Sequence, residues 1–187
     1  MARMPPLCHK RWCFASYIIY VNALVTYEST QPGRKLLIWL GVGWPLIQST
    51  GQAMPDKDLA EIFRNVVWLS TKLREGRITL YNVVPSEGLG RAFYYTQFLK
   101  GVDSASKVQG ANLGLQVLAV QSGGEVLNRS NDIGDSMASC LEDAKVYYTL
   151  SFDSPVAGHA DEYHSLQVKI DKPRLTARTR TGYYAQP

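Results

Sequence analysis

Residues 33–45, Gly-Arg-Lys-Leu-Leu-Ile-Trp-Leu-Gly-Val-Gly-Trp-Pro, constrain the fold more than any other stretch of the chain. Two cations lead into five large apolar residues. Turn-formers bracket the run, with Pro32-Gly33 before it and Gly41-Val42-Gly43-Trp44-Pro45 after it. A run apolar at odd and even positions alike leaves no face for water. It therefore reads as a strand buried between two layers of helix, at the centre of a parallel sheet. Ligands of open α/β sheets bind beyond the carboxyl ends of the strands. The loop formed by Gly41, Val42, Gly43 and Trp44 is thus the first candidate binding surface. It holds no acid, His, Ser or Cys, and so none of the usual nucleophiles, bases or metal ligands.

The segment after the run has the period of a crossover. Pro55-Asp56 opens a helix with acids in its first turn. Leu59, Ile62, Phe63, Val66, Leu69 and Leu73, with Val67 beside them, form one apolar stripe that Glu75-Gly76 ends. Residues 77–85 are the next strand. Strand, helix, strand is a βαβ unit whose strands are parallel neighbours. A long excursion over residues 86–111 carries the aromatic cluster Phe93, Tyr94, Tyr95 and Phe98, a second candidate surface. Leu113, Val117, Leu118 and Val120 predict a helix stopped by Gly123-Gly124. Residues 125–128 predict a short strand. Asn131-Asp132 caps a further helix whose buried stripe is expected to be Ile133, Met137, Leu141 and Ala144. Three alternating segments close the chain: residues 146–152, then Leu166/Val168/Ile170, then Leu175/Ala177/Thr179. They predict antiparallel strands added at the sheet edge. The expected fold class is α/β, a three-layer α/β/α sandwich.

At 187 residues the chain is long enough for one domain with a real core. Lys+Arg 20 against Asp+Glu 16 gives a net charge of +4. The cations are scattered rather than gathered on one stripe, which argues against a nucleic-acid partner. Three cysteines, Cys8, Cys13 and Cys140, cannot all pair within the chain, and Cys8-His9 with Cys13 is half a metal site without a second half; they read as free thiols.

The N-terminus fits two outlines. A basic start followed by a mostly apolar stretch and Val21-Asn22-Ala23 resembles a signal peptide. Ile18, Val21, Leu24 and Val25 instead recur at helical spacing and lead straight into the strand, which favours a packed helix. The stretch is too short and too polar for an integral membrane span. Residues 1–14 fit neither outline and are set apart as an atypical segment, with one domain over residues 15–187.

Several of these motifs, in this order, resemble the second half of a von Willebrand factor A-like domain. They are residues 32–45, Leu73-Arg74-Glu75-Gly76-Arg77-Ile78-Thr79-Leu80-Tyr81, and Gln121-Ser122-Gly123-Gly124-Glu125-Val126. Tyr147-Tyr148-Thr149-Leu150-Ser151-Phe152 and Thr179-Arg180-Thr181-Gly182-Tyr183-Tyr184 are similar to the VWFA-related group found largely in Acidobacteria. The resemblance covers about residue 17 to the end. It implies a doubly wound sandwich incomplete at its N-terminus, a role in protein–protein interaction, and export to the bacterial envelope. A complete domain of this type coordinates a divalent metal through Asp-x-Ser-x-Ser, a sequence this chain does not contain. Where metal-binding members place an acid, this chain has Gly41-Val42-Gly43.

The remaining chemistry is sparse. His159, Asp161 and His164 are the densest set of potential metal ligands and define an alternative, a metal-dependent hydrolase. Asp103-Ser104-Ala105-Ser106 has the wrong spacing for the metal motif and reads as a solvated loop. Arg178 and Arg180 share one strand face; it suits an acidic partner, but the scatter of charges favours a face that is simply solvated. No nucleophile elbow, phosphate loop or zinc-protease helix occurs. These features together suggest a non-enzymatic, cofactor-free module that recognises another protein without metal. Its surface is Gly41, Val42, Gly43 and Trp44 with Tyr94, Tyr95 and Phe98. A truncated chain without independent function, associating through an exposed sheet edge, is the third expectation.

Overall fold

The computed structural model describes residues 10–44, 54–85, 94–128 and 132–187, with backbone only for residues 10–18. Helix α1 (Lys10–Ser29) leads into strand β1 (Lys35–Leu40), helix α2 (Asp56–Glu75) and strand β2 (Ile78–Val83). Three short 3-10 turns between Tyr95 and Leu113 precede helix α3 (Leu115–Gln121) and strand β3 (Val126–Leu127). Helix α4 (Ile133–Lys145) is next, then β4 (Glu162–Ser165) and β5 (Gly182–Ala185). The chain is mixed α/β: four helices, a parallel sheet in the order β1-β2-β3, and a separate antiparallel pair β4-β5, all among the described residues.

The βαβ unit forms as its period requires. β1 and β2 are parallel, in register from Lys35 opposite Ile78 to Leu40 opposite Val83. The α2 stripe buries Ile62, Val66, Val67, Leu69 and Leu73. These join Val21 and Val25 of α1, Leu115, Leu118 and Ala119 of α3, and Ile78 and Leu80 of β2 in the main core. Leu37 and Trp39 of β1 pack on the same side. The opposite face carries a thinner layer, in which Tyr81, Val83 and Cys140 meet Leu36, Ile38 and Leu127. So α1, α2 and α3 cover one face of the sheet and α4 the other, and alternate side chains of each strand feed the two layers.

The helix ends use different devices. Asp132 caps α4 by accepting from the Asp135 N–H at 3.0 Å. Gly123 takes the left-handed φ of +87° after α3, and a Cβ on Gly124 would lie 1.9 Å from the Leu80 carbonyl oxygen. At the end of α2 the left-handed residue is Arg77, at φ 54°, and not Gly76. A Cβ on Gly76 would lie 3.1 Å from Ile78 Cδ1 and 3.2 Å from the Lys72 carbonyl oxygen, a tight fit that the neighbours would have to ease.

Several expectations change. Among the described strands the central one is β2, buried at every position, while β1 stands at the edge, half-buried from Lys35 to Trp39 and exposed at Leu40. An apolar run says that both faces want cover, not that both edges are paired. Helix α4 buries Ser136 and Cys140 and leaves Ile133, Met137 and Leu141 exposed, because three strands offer one helix a narrow platform and the side with the smaller residues fits it. Leu24 of α1 is exposed beside buried Val21 and Val25. Residues 146–152 form no strand: Val146, Tyr147, Tyr148, Leu150 and Phe152 are all exposed. The C-terminal strands lie at 162–165 and 182–185 and pair with each other rather than extending the main sheet. Helix α1 also runs through the boundary placed at residue 14. Among the described residues no helix is long and apolar enough to cross a membrane.

Candidate functional site

The carboxyl end of β1 is held by a buried polar clasp. Asn82, wholly buried in β2, donates from Nδ2 to the Gly41 carbonyl at 2.8 Å and to the Trp39 carbonyl at 3.2 Å. Its Oδ1 accepts from Gln116 Nε2 at 2.8 Å, and the same Gln116 nitrogen donates to the Val42 carbonyl at 2.9 Å. Gly41 and Gly43 take φ of 129° and 96°, conformations that residues with a Cβ rarely adopt. A Cβ on Gly43 would also sit 3.2 Å from Gln116 Nε2. The loop is a fixed shelf of backbone, stitched to β2 and to the start of α3.

This shelf sorts the candidate residues. Val42 projects, 59% exposed. Trp44 does not: it is buried, its indole N–H donates to the Leu113 carbonyl at 2.7 Å, and its ring meets Trp39 edge-on at 5.6 Å. Trp44 therefore leaves the binding surface and joins the core, as a large ring next to a two-glycine turn readily does. The second set divides likewise. Tyr94 is 71% exposed; in the 3-10 turn after it, Tyr95 and Phe98 bury no side chain fully. That turn is fastened by Asn112 Nδ2 donating to the Phe98 carbonyl and by Gln121 Nε2 donating to the Leu99 carbonyl. Residues 110–121 thus hold both halves of the proposed surface, Leu113 and Gln116 on one side and Asn112 and Gln121 on the other. Pro45 and Phe93 lie outside the described residues, as do Cys8, His9 and the Cys13 side chain.

The alternative metal set does not converge. The His159 ring contacts the Ala160 carbonyl, and Asp161 accepts from Gln186 Nε2 at 2.6 Å. His164 stacks on Tyr183 with its Nε2 3.4 Å from Glu162 Oε1, in ion-pair range but without hydrogen-bond geometry. Among the described residues no three His, Cys, Asp or Glu side chains are grouped to hold a metal. The Gly158 backbone N–H donates to the Glu162 carboxylate and lowers its pKa. In the 103–106 stretch, Asp103 is paired with Lys107 at 2.9 Å and exposed, as a solvated loop requires.

The two C-terminal arginines are occupied within the chain. Arg178 pairs with Glu125 at 2.6 Å and with Asp143, and lies over the Tyr81 ring. Burial opposes its charge, but Asp143, Tyr81 and Glu125 outweigh that and raise its pKa. Arg180 donates to the carbonyls of Leu73 at 2.8 Å and Ile78 at 2.7 Å. Burial, with Arg74 and Arg34 nearby, brings its pKa down to about 10. Tyr81, hydrogen-bonded to Asp143, is pushed up to about 12, first by burial and then by that carboxylate. Burial also raises the Cys140 thiol, so the one described free cysteine is the less reactive kind.

Sequence reasoning missed Asn82 and Gln116. The available signal was a lone Asn inside a strand otherwise suited to burial. Comparison with protein-family models, with curated proteins and with solved structures finds nothing that matches this chain.

Proposed function

We propose that this chain is the second half of a von Willebrand factor A-like domain of the VWFA-related kind, acting as a non-enzymatic, metal-independent module that recognises another protein. One observation carries the reading: residues 41–44, the described part of the loop after β1, are held by Asn82 and Gln116, and among them it is the Val42 side chain that projects. A rigid shelf with an apolar tip suits a protein surface, since ordering it on binding costs little. Where metal-dependent members of that family place an acid, this chain also has Gly41-Val42-Gly43. Tyr94 adds an exposed aromatic of the type enriched at interfaces.

The test is capture of partners from the source organism with the intact protein, with and without chelator, beside Val42→Asp and Tyr94→Ala variants. Binding should survive chelation and fall at least tenfold in Val42→Asp. Loss on chelation, or equal capture by Val42→Asp, refutes the reading.

A further inference from the structure

The outer edge of β1 conflicts with its sequence. At its two ends β1 bonds to β2 through odd residues, Lys35 N–H to the Arg77 carbonyl at 3.0 Å and Gly41 N–H to the Val83 carbonyl at 2.9 Å. In a parallel ladder the even residues then point the other way. The N–H and C=O groups of Leu36, Ile38 and Leu40 accordingly face outward, and among the described residues no strand pairs with that side. Solitary edge strands are normally protected by a Pro, a bulge, or a charge posted over the edge. Here the strand reads Lys-Leu-Leu-Ile-Trp-Leu, and the one cation is turned away, its Nζ donating to the Gln31 and Gly76 carbonyls. Among the described residues, an interior-type sequence stands at an edge that none of these devices protects.

We propose that β1 pairs, antiparallel and about a twofold axis through Ile38, with β1 of a second copy of this chain, joining the two sheets into one. Residue numbers facing each other then sum to twice that of Ile38. Leu36 opposes Leu40, Leu37 opposes Trp39, and Lys35 opposes Gly41, so no cation meets a cation. Every outward N–H and C=O of Leu36, Ile38 and Leu40 gains a reciprocal partner. An axis through Leu36 shortens the match and pulls Arg34 into the ladder. An axis through Leu40 runs the ladder into the glycine turn. An axis midway between two residues sets outward groups against groups already bonded to β2, an axis through Leu37 brings Arg34 opposite Leu40, and an axis through Trp39 brings Leu36 opposite Val42 in the glycine turn. One register satisfies all these conditions, and it covers Leu40, which is 50% exposed.

Among the described residues the other strand-like candidate, residues 146–152, pairs with no strand. Tyr147 lies under Arg34 at the start of β1, and Phe152 meets Tyr183 5.8 Å away.

The experiment combines light scattering over a dilution series with residue-resolved hydrogen exchange on the full chain. The mass should double at high concentration. The amides of Leu36, Ile38 and Leu40 should become protected only then, while Leu37 and Trp39 are protected throughout. Ile38→Pro removes one outward N–H that pairs with no strand among the described residues, a place where edge strands accept proline. Leu40→Lys puts a charge on the seam at an already half-exposed site. Both variants should keep the wild-type monomer circular dichroism and remain monomeric at every concentration. A wild-type monomer throughout, or a dimer persisting in Leu40→Lys, overturns the proposal. So does protection of the three amides that ignores concentration, which would mean that a segment of the same chain covers the edge.

Discussion

Replacing Asn82 by Ala tests whether the shelf after β1 is held as described. Asn82 is fully buried and makes two good hydrogen bonds, to the Gly41 carbonyl and from Gln116, each at 2.8 Å. Its third, at 3.2 Å, goes to Trp39, whose carbonyl already faces the β2 ladder and so loses less. A buried hydrogen bond contributes about 1 kcal/mol net, and a stranded buried partner costs about 1–3 kcal/mol. Gln116 keeps its bond to Val42, so the Gly41 carbonyl is the main orphan. The sum is about 2–3 kcal/mol. With a urea slope of about 2 kcal/mol/M this lowers the midpoint by about 1–1.5 M. The unfolding should be run on dilute, monomeric protein, because association adds concentration-dependent stability. A double-mutant cycle with Gln116→Ala should return a coupling of about 1 kcal/mol. Asn82→Asp should cost more than Asn82→Ala at neutral pH, because a carboxylate would face two carbonyls. That excess should shrink on acidification, as the neutral acid regains a donor. A loss below about 0.5 kcal/mol for Asn82→Ala, within the range of ordinary surface changes, refutes the clasp.

The packing and the titrations supply two further perturbations. Gly124→Ala would drive its Cβ into the Leu80 carbonyl, so β3 has to part from β2; thermal unfolding should show a loss above about 3 kcal/mol or no folded protein. Tyr81 is neutral when folded up to about pH 12, against the ordinary tyrosine value of 10.0. The folded state therefore holds a proton that the unfolded chain releases, and stability falls as pH rises from about 10 to about 12. Arg180 works in the opposite sense, since its lowered folded pKa makes neutralisation above about pH 10 favour the fold. The difference between wild type and Tyr81→Phe isolates the tyrosine: urea midpoints from about pH 9 upward should drop less steeply in the variant, and parallel curves would refute the assignment.

The features legible in the sequence were those that depend on local period and local caps. The α2 stripe from Ile62 to Leu73, the parallel partner strands and the Asp132 cap are all written within a few residues of themselves. The features that were not legible depend on how many neighbours an element finds. Leu36 and Leu40 have the same side chain in the same strand, yet one is half-buried and the other half-exposed, because the layer under α4 takes in only one of them. Ile133, Met137 and Leu141 have a helical period as good as that of α2, but no second surface among the described residues covers them. Residues 146–152 alternate as a strand does and pair with no strand among the described residues. Of the candidate site, the Gly41–Gly43 turn was readable from its glycines. The burial of Trp44 was not, since it depends on a carbonyl 69 residues away.

The clasp and the open edge also bear on each other. An edge strand with a single ladder should fray, since half of its backbone groups are left to water. In β1 both ends are fastened by side chains instead. Asn82 and Gln116 grip the carboxyl end; Lys35 Nζ on the Gln31 and Gly76 carbonyls and Arg34 Nε on Thr79 Oγ1, at 3.2 Å, grip the amino end. Between them, the outward N–H and C=O groups of Leu36, Ile38 and Leu40 pair with no strand among the described residues. Ordering a strand is the chief entropic cost of adding another to it, and here one side is already ordered. The same bonds that make the Gly41–Trp44 loop a rigid shelf therefore make the edge beside it a better template. Loosening the clasp with Asn82→Ala should weaken edge pairing as well as stability. In the dilution series, that variant should need a higher concentration than wild type to reach half dimer; an unchanged midpoint would separate the two features.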